Sequence, residues 1–199
     1  MQFKFKNIKI TVSFTFFALI IILISLNKTE FLYSSIFFAL AHEIGHLSAL
    51  KYFKIPIEEF KISLLGGNIK VLNYNKLKYT QIAIISFCGP LVNIVVCIFF
   101  YILNTFCVNK IYIEFFAINL VLAIFNLLPF YNFDGGKILS SILLNYFNET
   151  SVNSVVIITS YLILLPFTYF AFYVFTLDFR NFYLLVASLL MLLTIIFKK

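Results

Sequence analysis

Residues 41–50 read AHEIGHLSAL and hold both histidines of a 199-residue chain, His42 and His46, with Glu43 between them. On an α-helix, positions four apart share a face, so two imidazoles can be presented to one ion. Glu43 lies about 100° round the helix from His42. That angle suits a carboxylate that reaches a water on the ion better than a third ligand of the same kind. This is the His-Glu-x-x-His arrangement of zinc peptidases, with two imidazole ligands and a glutamate general base. Zinc brings the pKa of its water toward neutrality, which makes hydroxide available to attack a carbonyl. The bland reading is a chance match, because an isolated HExxH is a weak signal in a soluble helix. The surroundings weigh against it: Phe31 to Leu40 is almost wholly apolar. An ionisable group at the depth of a membrane span costs about 2.5–3.5 kcal/mol. Three on one span call for a shared partner, and a metal is one.

The elements that must position these groups follow from composition. The chain is 62% hydrophobic and 12% charged, with a mean hydropathy of +1.02. A soluble domain has about half apolar and a quarter charged residues. Twenty-seven Phe and 12 Tyr exceed what one water-facing core of this size can hide. The net charge of +7 reads as lysines flanking spans and meeting anionic lipid; no nucleic-acid groove is expected. Cys88, Cys97 and Cys107 have no CxxC spacing and read as small apolar packing residues. At about 20 apolar residues per crossing, the candidate spans are 8–26, 31–53, 80–106, 111–129, 152–175 and 179–197. The first of these is read as retained, since no small-x-small cleavage site follows it. The segment 57–79 is polar, with Gly66-Gly67 in its middle, and suggests a short hairpin or edge strand. A break at 130–136 precedes a short helix over 136–147. The fold class is therefore an all-α polytopic membrane protein of about six transmembrane helices, with a short β-hairpin or edge-strand segment after the second. Residues 1–199 form one intramembrane domain with no soluble accessory domain.

With six spans, twelve of the Lys and Arg residues fall on the side of the termini, and Lys28, Lys110 and Arg180 fall on the other. The positive-inside rule then puts both termini in the cytoplasm. His46, seven residues before the end of the second span, lies roughly 10 Å inside the cytoplasmic face at 1.5 Å per residue. Zinc catalysis uses three protein ligands and one open position, and the chain has no third histidine. Among eight acids, Glu58 and Glu59 fall in the polar segment, while Glu30, Glu114 and Asp178 fall on the opposite side. Glu149 sits in a polar, turn-like stretch. Asp134, just past the cytoplasmic end of the fourth span, remains as the third ligand. The alternative role for Asp134 is a helix N-cap before Gly135-Gly136.

With Asn126-Leu-Leu-Pro129, Asp134-Gly-Gly136, Leu64-Leu-Gly-Gly67 and Cys88-Gly-Pro-Leu-Val-Asn93 added to the histidine motif, residues 31–144 resemble the site-2 protease family of intramembrane zinc metalloproteases (peptidase family M50). Asn132 stands where that family usually has a second proline. Within it, the early HExxH and six-span layout look most like the stage IV sporulation protein FB branch, without the CBS domain that usually ends such chains. The resemblance implies a zinc-dependent intramembrane endopeptidase in a bacterial cytoplasmic membrane, with one Zn2+ per chain. Its substrate would be a membrane-embedded or membrane-tethered protein such as a pro-sigma or anti-sigma factor, and a membrane-protein regulator is a possible second partner. Sporulation is the implied setting. It also implies that Asn126 contacts substrate or lines the cavity; the alternative is an asparagine hydrogen-bonding between packed helices. Asn93 and the turn at Gly89-Pro90 either face the cavity or belong to a helix kink. Gly66 and Gly67 either hold an extended substrate by main-chain hydrogen bonds or lie at the lipid headgroups. The rival functions are a membrane metal-ion transporter or sensor that performs no hydrolysis and a catalytically silent scaffold. A transporter often shows an inverted repeat, and none is visible.

Overall fold

The computed structural model describes residues 2–5, 8–12, 29–63, 66–72 and 77–196. Four strands and six α-helices occupy them: β1 (Gln2–Phe5), β2 (Ile8–Val12), α1 (Thr29–Tyr52), β3 (Ile57–Ser63), β4 (Gly66–Val71), α2 (Tyr79–Phe106), α3 (Lys110–Leu127), α4 (Asp134–Leu143), α5 (Glu149–Leu177) and α6 (Phe182–Ile196). The backbone groups into two compact units, Met1–Ile124 and Phe125–Lys199.

In the first unit, the expected hairpin is part of a larger sheet in the order β1-β2-β3-β4. β2 runs parallel to β3, and the two outer pairs are antiparallel. This corrects the expectation of a membrane span starting at Ile8: Ile8–Val12 is a strand, and the remainder of that span lies outside the described residues. The Thr11 hydroxyl donates to Glu59 Oε1 at 2.7 Å, and Lys70 Nζ lies 3.5 Å from the same carboxylate. The Thr11 bond, aided by Lys70 and Lys9, holds the Glu59 carboxyl below its ordinary value. Its contribution to strand pairing is present at neutral pH and fades as pH falls through that titration.

Helix α1 ends in a Schellman motif. Lys54 takes a left-handed φ of 56°, its N–H bonds to Lys51 O at 3.0 Å, and the Ile55 N–H bonds to Leu50 O at 2.9 Å. The buried side chains of Leu50 and Ile55 supply the apolar contact that accompanies this stop. Pro56 follows and leads the chain into β3. Helix α1 packs along α2. The approach is close because Gly45 has no side chain: a Cβ there would meet the Cys88 carbonyl and the Val92 side chain. Phe38 of α1, Phe100 of α2 and Phe115 of α3 stack edge to face with centroids 5.0–6.1 Å apart. This wedge ties three helices together one turn before His42.

In the second unit, α4 and α6 each pack on α5. Phe130, Leu164, Met191 and Ile195 form the core, and Phe130 is 0% exposed. Among the described residues, α2, α3 and α5 are long and apolar enough to cross a membrane. Side chains such as Val95, Ile98 and Phe99 of α2 and Leu162, Leu165 and Tyr169 of α5 are exposed, as lipid-facing positions are. Helix α6 is apolar but has only 15 residues.

Placing Val at position 45 forces α1 and α2 apart. Overpacking of this kind costs about 1–3 kcal/mol, so Gly45→Val is expected to lower the melting temperature of the detergent-solubilised protein.

Candidate metal centre

His42 and His46 are both buried in α1, with ring centroids 4.8 Å apart and the rings nearly perpendicular. Their outer nitrogens are anchored separately. His46 Nδ1 is 2.7 Å from the Ile85 carbonyl. A carbonyl only accepts, so Nδ1 carries the proton and Nε2 the lone pair. His42 Nδ1 is 2.6 Å from Asn93 Oδ1 and is likewise the donor. The two Nε2 atoms then face each other at 3.1 Å. Two lone pairs at that distance repel unless a cation or proton lies between them. Both atoms can sit 2.0–2.1 Å from one point, which is the Zn–N bond length.

Helix α2 forms one wall of this centre. It remains helical through Gly89 and Pro90 with no unwound turn. A Cβ on Gly89 would collide with His46 Nε2 and Cε1 and with His42 Nε2. Gly89 is therefore small because the imidazoles occupy the space a side chain would take. Asn93 is 0% exposed, with its amide engaged by His42 and Asn119.

Glu43, on the adjoining face of α1, reaches the sheet. The Gly67 N–H donates to Glu43 Oε1 at 2.9 Å, and a Cβ on Gly67 would meet the Glu43 carboxylate. Ser63 pairs with Gly66, which closes a two-residue connection. In an antiparallel ladder, the pair closing such a hairpin is hydrogen-bonded and the next pair is not. Gly67 therefore points its N–H away from β3, toward the outer edge of β4, and Glu43 sits at that edge.

Asp134 lies in the second unit. Pro129 to Phe133 is fixed by Thr159 Oγ1, which donates to Pro129 O at 3.0 Å, and by the Tyr131 N–H, which donates to Ser160 Oγ at 2.9 Å. The return into α4 is tight enough that side chains on Gly135 and Gly136 would strike the Leu127 and Phe130 carbonyls. The N-cap is Phe133, and Asp134 is the first residue inside α4. Its carboxylate is buried, and Oδ1 accepts from Lys137 Nζ at 3.0 Å. Asn126 is half-buried near the end of α3.

In the first unit, His42 and His46 offer two buried imidazole donors, and in the second unit Asp134 offers a buried carboxylate. Imidazole and carboxylate are both ligand types that zinc accepts. A family model described as peptidase family M50 matches residues 30–115 and 107–167. The chain belongs to peptidase family M50. Zinc metalloprotease MJ0392 of Methanocaldococcus jannaschii is 30% identical over 156 residues, covering 71% of this chain. The chain spans only 44% of that relative's length. A solved structure of the site-2 protease from Methanocaldococcus jannaschii has the same fold, with a TM-score of 0.71 at 24% identity over 96% of this chain and 91% of that one. Membership in M50 implies zinc as the metal and a membrane-embedded chain.

Sequence reasoning missed Asn119, the Ile85 carbonyl and Lys137. A backbone carbonyl leaves no mark in a sequence. Asn119 does: it is the only amide in the apolar run Phe115 to Phe125, and a polar group placed there needs a partner.

Because Gly89 abuts both Nε2 atoms, Gly89→Ala is expected to weaken zinc binding at least tenfold while leaving helix content unchanged. Competition with a chromophoric chelator, alongside circular dichroism, measures both.

Proposed function

We propose that the protein is a zinc-dependent intramembrane endopeptidase. The observation that carries this reading is the position of Glu43, next to the metal-ligating pair on α1 and hydrogen-bonded to the outer edge of β4. His42, His46 and Asp134 would hold the zinc. A bound zinc supplies Lewis acidity that makes water nucleophilic near neutral pH and polarises a carbonyl. Glu43 takes the proton from the attacking water and returns it to the leaving amine. A helical substrate hides its peptide bonds, so it must be extended before it is cut. An extended segment added to β4 would be held by main-chain hydrogen bonds, beside the carboxylate that acts on it. Gly66 and Gly67 serve this strand, and Gly67 has no side chain to shield Glu43. Asn126, on the approach to the Asn-x-x-Pro turn, contacts the substrate.

The substrate class is a membrane-embedded or membrane-tethered protein, and the early HExxH favours a tethered pro-sigma or anti-sigma factor processed in sporulation. The location would be a bacterial cytoplasmic membrane, and the distribution of lysines supports cytoplasmic termini with a site near that face. A transporter or sensor would use the same three ligands but would leave Glu43 without a task.

Glu43→Gln is expected to bind zinc as the wild type does and to abolish cleavage of a co-expressed membrane-tethered substrate. His42→Ala is expected to lose the metal. Wild-type cleavage by Glu43→Gln would overturn the mechanism.

A further inference from the structure

The Asn93 side chain could in principle turn either its oxygen or its nitrogen toward His42, and the two orientations have opposite consequences. With the oxygen forward, His42 Nδ1 must carry a proton, and Nε2 presents a lone pair to the centre. With the nitrogen forward, Nδ1 must accept, the proton moves to Nε2, and the ligand atom is lost. Asn93 therefore decides whether His42 can bind a metal, and something must decide for Asn93.

The deciding contact lies one helix farther away. Asn119 Nδ2 donates to the Phe115 carbonyl at 2.8 Å. That carbonyl belongs to the backbone of α3 and can only accept, so the Asn119 amide has one permitted orientation. Its Oδ1 then faces Asn93 Nδ2 at 2.9 Å and accepts from it. This turns Asn93 Oδ1 toward His42 Nδ1 at 2.6 Å. Asn93 and Asn119 are both 0% exposed, so water does not compete for these bonds. From Phe115 O to His42 Nδ1, every donor and acceptor is assigned, and the direction is set at the end farthest from the metal.

We propose that Asn119 is a positioning residue for the metal centre: through Asn93 it fixes His42 as the tautomer protonated at Nδ1 and bare of hydrogen at Nε2. This rests on the metal-centre part of the proposed function and not on peptide cleavage. Partners that orient metal-ligating histidines are worth about 10–100-fold in metal affinity.

The chain has only two histidines, so a 15N-histidine-labelled sample shows two imidazoles, assigned with a His46→Gln variant. In metal-free wild-type protein at mildly alkaline pH, His42 is expected to carry its proton on Nδ1. Asn119→Leu is expected to move that proton toward Nε2 and to raise the zinc dissociation constant by 10–100-fold in chelator competition. Asn119→Asp, with its buried carboxyl neutral and donating to Phe115 O, keeps an acceptor for Asn93 Nδ2 and is expected to retain the wild-type tautomer. Three results would overturn the proposal. They are His42 without a proton on Nδ1 in the wild type, Asn119→Leu matching the wild type in both readouts, and Asn119→Asp as impaired as Asn119→Leu, which would mark a packing role. The wild-type spectrum needs no variant and decides the matter even if Asn119→Leu fails to fold. Loss of peptide cleavage with normal tautomer and zinc affinity would count against the peptidase reading alone.

Discussion

Two imidazole nitrogens held 3.1 Å apart inside apolar helices are the constraint on which the first unit depends. Each ring is anchored at Nδ1, one to a backbone carbonyl and one to a buried amide, so neither can turn its proton inward to relieve the other. The arrangement is stable only with a cation or proton at the centre. Its neighbours are explained by that demand. Gly45 brings α2 close enough for the Ile85 carbonyl to meet His46, and Gly89 leaves space for both rings. The Phe38–Phe100–Phe115 wedge holds the three helices that contribute the anchors. In a membrane, where apolar contact between helices gains little over contact with lipid, small residues and buried hydrogen bonds carry such packing.

The second unit solves a different problem, which is how to hold a carboxylate at the start of a short helix. Asp134 occupies the first position of α4, where the helix dipole favours negative charge, and Lys137 one turn later pairs with it. Thr159 and Ser160 of α5 pin the incoming loop through its backbone. Phe130 anchors that loop in the core. Asn132, exposed in this loop, stands where a proline is usual in the family, and the backbone bonds to α5 restrain the loop there instead.

The candidate residues stand out in the sequence because their chemistry has a fixed spacing. His42, Glu43 and His46 are singled out by helical periodicity, and Asp134 is proposed by elimination among eight acids. The hairpin at Gly66-Gly67 was also legible, from the glycine pair in a polar stretch. Other features depend on partners distant in sequence. Ile8–Val12 alternates apolar and polar residues, yet it leads directly into a long apolar run, and short apolar segments do not reveal their period. Its pairing with β3 joins segments separated by α1. Asn93 was legible as part of a motif, but its engagement with His42 depends on Asn119, a lone amide in an apolar helix that signals a need for a partner without naming it.

The activity proposed for this metal centre is hydrolysis of peptide bonds in membrane proteins. The most direct measurement uses zinc-loaded protein in proteoliposomes with a panel of transmembrane peptides that differ in helix-destabilising residues, incubated in H218O and read by mass spectrometry. Paired fragments cut in or beside the membrane span are expected, with 18O in the new carboxyl terminus. A panel left intact by protein carrying stoichiometric zinc would contradict the proposed activity.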